Sequence, residues 1–379
     1  MQEHYLDNSS TTRVCEEAAA KVMELMTEHY GNPSSLHTLG FQAEQALTAA
    51  RRSVAAALGA KEEEIIFTSG GTESNNLALL GAAHARRRNG SHIVTTAIEH
   101  ASVGNTVRQL EKEGFSVTWL QPDRWGHISP EQVLEAVQPD TILVSMMAVN
   151  NEVGSILPIE AAARAIAAKK ALALLHVDAV QAFGKLDLKP GRMKIDLMSV
   201  SAHKVHGPKG VGALYLRKGV RIVPHSFGGS HENGMRAGTE AVPAIGGFGM
   251  AVESLPPVSA AQEHMAALSR ACREQLLELP GVVLNSPEDA LPCIVNFSAG
   301  TVRAETMLHF LASRGIYVSS GSACSKGKKS PVLEAMKLPK ARIDSALRVS
   351  FSRFNTMDDV DALIGALREG LSTLAARPL

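Results

Sequence analysis

Over the first two thirds of the chain, short apolar runs alternate with amphipathic stretches. That alternation predicts an α/β fold built on a mainly parallel sheet with helices on both faces. Seven runs have the length and composition of buried strands: 65–68, 92–95, 116–120, 141–146, 173–177, 197–200 and 212–216. Helical periodicity fills the gaps between them, as at 42–58, 73–87 and 101–113. After Gly249 the texture changes. Pro256-Pro257 breaks the chain, a helix is expected from about 259 to 279, and Pro280-Gly281 stops it. A strand at 293–297, a helix at 304–314, a short strand at 317–319, a strand at 346–350 and a closing helix from Met357 follow. These elements predict a smaller α+β domain over 253–379, joined by residues 1–14, beside a large domain over 15–252.

Composition narrows the class. A chain of 379 residues that is 45% hydrophobic can bury a large core and divide into two lobes. Thirty-eight basic residues balance 38 acidic ones, and no tract concentrates positive charge, so a nucleic-acid partner is not expected. The polar start Met1-Gln2-Glu3-His4 lacks the pattern of a signal peptide. Lys169-Lys170 interrupts the best apolar run short of the roughly 20 residues a bilayer needs. The expectation is a cytoplasmic protein without a membrane partner. Cysteines at 15, 272, 293 and 324 show neither a Cys-x-x-Cys pair nor metal-ligand spacing, so no metal site and no structural disulfide are expected.

Candidate chemistry gathers at the predicted strand ends. The strand at 197–200 runs into Ser201-Ala202-His203-Lys204 and a glycine-rich loop, while that at 173–177 ends on Asp178, with Gln181 just beyond. An amine and a carboxylate on neighbouring strand ends suit pyridoxal 5′-phosphate: the lysine forms the Schiff base and the acid keeps the pyridine nitrogen protonated. Singly, each also reads as a solvated lysine or a capping acid. Gly70-Gly71-Thr72 opens a helix after the first strand and reads either as a plain capped turn or as a phosphate seat of free amides. Beside Lys204 and Asp178 the second reading gains weight, and Ser201 and His203 could add donors. His100, at another helix start, either caps that helix or stacks on the ring and moves protons near neutrality. Asn151 either caps a turn or orients a ligand.

In this setting many motifs, in order along the whole chain, resemble one family. They include Tyr5-Leu6-Asp7-Asn8, Gly31-Asn32-Pro33-Ser34-Ser35, Thr68-Ser69-Gly70-Gly71-Thr72-Glu73-Ser74-Asn75 and Glu99-His100. They continue through Asn150-Asn151-Glu152-Val153-Gly154, His176-Val177-Asp178-Ala179-Val180-Gln181, Ser201-Ala202-His203-Lys204, Arg236-Ala237-Gly238-Thr239 and Ser319-Ser320-Gly321-Ser322-Ala323-Cys324. The chain is similar to cysteine desulfurases of the NifS/IscS type, class-V aminotransferase-like enzymes of the fold-type I pyridoxal-phosphate group. The resemblance implies Lys204 for the Schiff base, Asp178 for the pyridine nitrogen and Gln181 for the phenolic oxygen. It implies His100 on the ring, and Gly71, Thr72, Ser201 and His203 at the phosphate. Thr239 would reach the phosphate of the other subunit in a homodimer, and Arg348 with Asn151 would hold the substrate carboxylate.

Cys324 separates desulfuration from transamination. A free thiol with a pKa of about 8.5 is only a few per cent thiolate at neutral pH. Lys326, Lys328 and Lys329 favour ionisation, although an incidental loop cysteine would have the same neighbours. The family pattern implies that its thiolate takes sulfur from L-cysteine, leaving L-alanine and a persulfide that a sulfur-acceptor or scaffold protein collects for iron–sulfur or thiolation chemistry. The polar run after Cys324 resembles the group with a swinging cysteine arm, slightly shortened and more basic. A selenocysteine lyase or another class-V enzyme is the competing reading.

Overall fold

The computed structural model describes residues 2–320 and 330–374. Seven strands form the main sheet: β2 (Ile65–Thr68), β3 (His92–Thr96), β4 (Ser116–Leu120), β5 (Thr141–Met147), β6 (Leu174–Asp178), β7 (Leu197–Ser201) and β8 (Gly212–Leu216), with β1 (His4–Tyr5) lying elsewhere. Their order is β2-β8-β7-β6-β5-β3-β4. β8 runs antiparallel to both neighbours and the other pairings are parallel. The expected strands are all present, shifted by no more than a residue at either end.

Side-chain alternation explains why both faces must be covered. In β7, Leu197 packs into one apolar cluster while Met198 and Val200 pack into the other, and in β6 Leu174 and Leu175 divide the same way. Every residue of β5, β6 and β7 is buried, as expected of central strands between two helical layers. The helix Ala101–Lys112 contributes Val103, Val107 and Leu110 to one layer, a spacing of about one turn.

The C-terminal part carries an antiparallel sheet of β9 (Val282–Leu284), β10 (Ile294–Ala299) and β12 (Ala346–Ser350), with β10 in the centre. The strand at β9 was not anticipated. Its three residues lie between the Gly281 turn and Asn285-Ser286-Pro287, too short for a periodic signal. The strand expected at 317–319 is instead β11 (Ile316–Tyr317), which pairs with β1, followed by a separate bridge from Ser319 to Arg348. The N-terminal segment continues along β12 through an Asp7–Ser350 bridge. Among the described residues, no helix is long and apolar enough to cross a membrane.

Candidate active site

Parallel strands that end at one level bring their last residues together, and here the ends of β5, β6 and β7 open on a cavity of about 280 Å³. Asp178 closes β6 and lies opposite Ser199 of β7. Lys204 follows β7 by a single helical turn, Ala202–Lys204. Both side chains line the cavity, 5% and 9% exposed. Gly71, Thr72, His100, Asn151, Gln181, Ser201, His203 and Arg348 line it as well. Of the sequence-derived candidates, Thr239 is placed elsewhere, in a surface depression with Asn32, Arg51 and His231. Cys324 lies outside the described residues.

Lys204 Nζ donates to the carbonyl oxygens of Ser9 and, at 2.7 Å, Ser10. Burial pushes this amine down to about 7, and the Arg348 and Lys185 cations add to the effect. A buried amine near neutrality is a usable nucleophile, unlike an ordinary lysine. Asp178 accepts from Asn75 Nδ2 at 2.8 Å and from the Val180 backbone amide at 3.0 Å. His100 caps the helix Ala101–Lys112, accepting on Nδ1 from the Ser102 amide, and burial lowers its basicity. His203, beside Thr11 Oγ1 at 3.2 Å, is pushed down to about 4 by burial and by the Lys204 charge.

The phosphate-seat candidate has the geometry of an anion site. The helix Gly71–Arg86 begins after Gly70, whose φ of +146° suits glycine, and no side chain caps its first turn. A Cβ at Gly71 would stand 2.7 Å from Val180 Cγ2, so the wall of the cavity is made by backbone there. On the far side Arg348, 2% exposed, is clamped by Asp7 Oδ1 at 2.9 Å, Ser10 Oγ at 2.7 Å and the Asn151 carbonyl at 2.8 Å. Gln181 Oε1, Asn75 Oδ1, Asn151 Oδ1 and Arg348 Nε are buried without a hydrogen-bond partner. Four orphaned polar atoms on the residues of one cavity indicate a polar ligand.

Residue-level reasoning missed Asp7, Ser9 and Ser10, which hold Arg348 and Lys204, and also Asn75, Ser102 and Glu99. Asp7, Asn75 and Glu99 belong to stretches already singled out by motif, without a role. Glu99 accepts from the Met147 amide at 2.9 Å and Thr96 Oγ1 at 2.7 Å, and burial pushes its carboxyl up to about 8.

Comparison with known proteins decides the family. The Aminotransferase class-V family matches residues 4–363. The chain belongs to that family. Cysteine desulfurase IscS of Methanosarcina thermophila is 43% identical over 369 residues, 96% of this chain and 91% of the relative. A solved NifS-like protein superposes with a TM-score of 0.93 at 38% identity, covering 98% of this chain and 100% of that one. SspA, solved in complex with cysteine, superposes with a TM-score of 0.82 at 36% identity, covering 94% of this chain and 100% of that one. Class-V membership and these relatives imply pyridoxal 5′-phosphate as the cofactor.

Proposed function

We propose that the protein is a pyridoxal-phosphate-dependent cysteine desulfurase that takes sulfur from L-cysteine and releases L-alanine. The observation that carries this reading is one cavity lined by a buried amine of lowered basicity, Lys204, a buried carboxylate, Asp178, and a clamped guanidinium, Arg348. The residues fit the cofactor: the uncapped helix start at Gly71-Thr72 with Ser201 and His203 for its phosphate, Asp178 for its pyridine nitrogen, and Gln181 and His100 beside its ring. When bound, that group supplies an aldehyde to hold the substrate amine and a ring that takes up negative charge.

The chain's own residues do the rest. Arg348 holds the substrate carboxylate, with Nε still to be satisfied and the guanidinium plane already fixed by Asp7 and Ser10. Asn151, whose carbonyl bonds Arg348, stands beside it as a second polar contact. Lys204, its amine pushed down to about 7, takes the α-proton at Nζ in its neutral form. Asp178, whose oxygens are fixed by donors from Asn75 and Val180, would hold a proton on the pyridine nitrogen of the bound group. Cys324 thiolate then attacks the substrate sulfur: the new S–S bond makes a persulfide, the C–S bond breaks, and its electron pair stays on the carbon that becomes the methyl of alanine. A sulfur-acceptor protein consumes the persulfide.

A homodimer is part of the reading. Thr239 does not line its own chain's cavity, and Met23, Met26, Leu36 and Phe41 expose large apolar surfaces near the N-terminal helices. The test is direct. Purified protein should be yellow and should form one alanine per sulfur removed from L-cysteine, and K204A should abolish both the imine absorbance and the turnover. Colourless protein, or colour with transamination and no sulfur release, would overturn the proposal.

A further inference from the structure

Asn75 and Ser102 take no direct part in the reaction described above, yet they bridge Asp178 to His100. Asn75 Nδ2 donates to Asp178 Oδ2 at 2.8 Å and to Ser102 Oγ at 2.9 Å. Both amide hydrogens are committed, and reversing the amide would set Asn75 Oδ1 against the Asp178 carboxylate. Ser102 Oγ receives Asn75 on a lone pair, so its own hydrogen can point to His100 Nδ1, 2.7 Å away. The Ser102 amide donates to the same nitrogen at 3.2 Å. A ring nitrogen that accepts from a backbone N–H carries no proton of its own, which places the imidazole hydrogen on Nε2.

We propose that Asn75 and Ser102 are positioning residues that hold His100 as the neutral Nε2–H imidazole and tie its setting to the Asp178 carboxylate. The inference rests on the functional reading above and divides the labour within it. His100 presents an N–H donor to the cavity, not a vacant basic nitrogen, so the first proton is left to Lys204. Protonation at Nδ1 would strand the Ser102 amide, which cannot turn acceptor. The charged groups facing the ring oppose each other: Asp178 on β6 favours the imidazolium, while Lys204 after β7 disfavours it. Burial outweighs both, and His203, itself held neutral, adds no charge.

The test uses holoenzyme carrying ¹⁵N-labelled histidine, with imidazole resonances recorded in the absence of substrate for the native protein, S102A, S102T and N75A. The native His100 should be neutral and protonated on Nε2 at pH 7. S102A removes one of two donors to Nδ1 and should raise the His100 titration midpoint by roughly one pH unit, the equivalent of one ordinary hydrogen bond. S102T should restore the native value. N75A, which frees the hydroxyl to rotate, should move the midpoint in the same direction by less, and it supplies an independent readout should S102A not fold. An Nδ1–H tautomer or an imidazolium in native protein at pH 7 would overturn the proposal. So would a folded S102A or N75A whose His100 titrates as in the native chain. These resonances need no turnover, so a native protein that makes no alanine from L-cysteine would sink the assigned activity and leave this result standing.

Discussion

Ser319 and Arg348 exchange both of their backbone hydrogen bonds, Ser319 N to Arg348 O at 3.1 Å and Arg348 N to Ser319 O at 2.7 Å. The chain approaching Cys324 is thereby fixed to the residue proposed to hold the substrate. Arg348 is further anchored by Asp7 and Ser10, so a lysine there would keep the charge and lose the fork. R348K should raise KM for L-cysteine by about tenfold or more while the cofactor absorbance stays native. Steady-state kinetics check this, and an unchanged KM would remove Arg348 from the carboxylate site.

Lys204 carries a pH signature. Its amine is pushed down to about 7 by burial first and by Arg348 and Lys185 next. Cofactor-free protein should therefore capture the aldehyde slowly below pH 6, speed up through pH 7 and level off above it. Stability follows with a definite sign. Between about 7 and the ordinary lysine value near 10.4 the unfolded chain binds more protons than the folded one, so this group makes stability rise with pH across that window. Capture rates and denaturant midpoints against pH measure the two effects.

Asp178→Asn should keep the shape of the site and lose its charge. The expected protein still colours with the cofactor but forms alanine roughly a hundredfold more slowly or worse, because a nearby buried carboxylate is worth several kcal/mol to a protonated ring nitrogen. Single-turnover absorbance and alanine release separate binding from chemistry. A variant with native turnover would show that the pyridine nitrogen is protonated by something else.

Glu99 has the opposite titration. Its carboxyl is pushed up to about 8 by burial, so from the ordinary glutamate value to pH 8 the folded state binds the extra proton and stability falls as pH rises. E99Q keeps the neutral shape and should flatten that part of the melting-temperature profile, leaving little change near pH 5. A profile as steep as the native one would assign the slope to another group.

Cys324→Ser should retain the colour and the spectral response to L-cysteine, and lose persulfide formation and net sulfur release. Mass spectrometry of the protein after a single turnover reads the added sulfur directly. Sulfur found on Cys15, Cys272 or Cys293 instead would contradict the assignment, and all three are buried.

The main sheet was legible in the sequence because each of its strands is a short apolar run between turn signals, and burial on both faces leaves little choice of residue. Lys204, Asp178 and the Gly70-Gly71 turn stood out only in conjunction: each alone is ordinary turn or cap chemistry, but an amine, an acid and a glycine turn at neighbouring strand ends suit one cofactor. Ser9 and Ser10 gave no such signal. Toward Lys204 they act through backbone carbonyls, which any residue possesses, from 194 or more positions away, and the Ser10 hydroxyl meets Arg348 from 338 positions away. Asn75 and Ser102 were hidden because polar residues in the first turns of helices are ordinary. Thr239 was legible only through its family motif, and its own chain leaves it out of the cavity.

The segment Leu6–Ser10 rests on β12, with Ser350 N bonded to Leu6 O at 2.7 Å, and from there reaches both Arg348 and Lys204. On the ribosome these first residues must wait until position 350 has emerged before they find their berth, a delay of many seconds at about 5–20 residues per second. The sheet can condense early, but the pocket is born only when segments 344 positions apart meet, so its chemistry is acquired late.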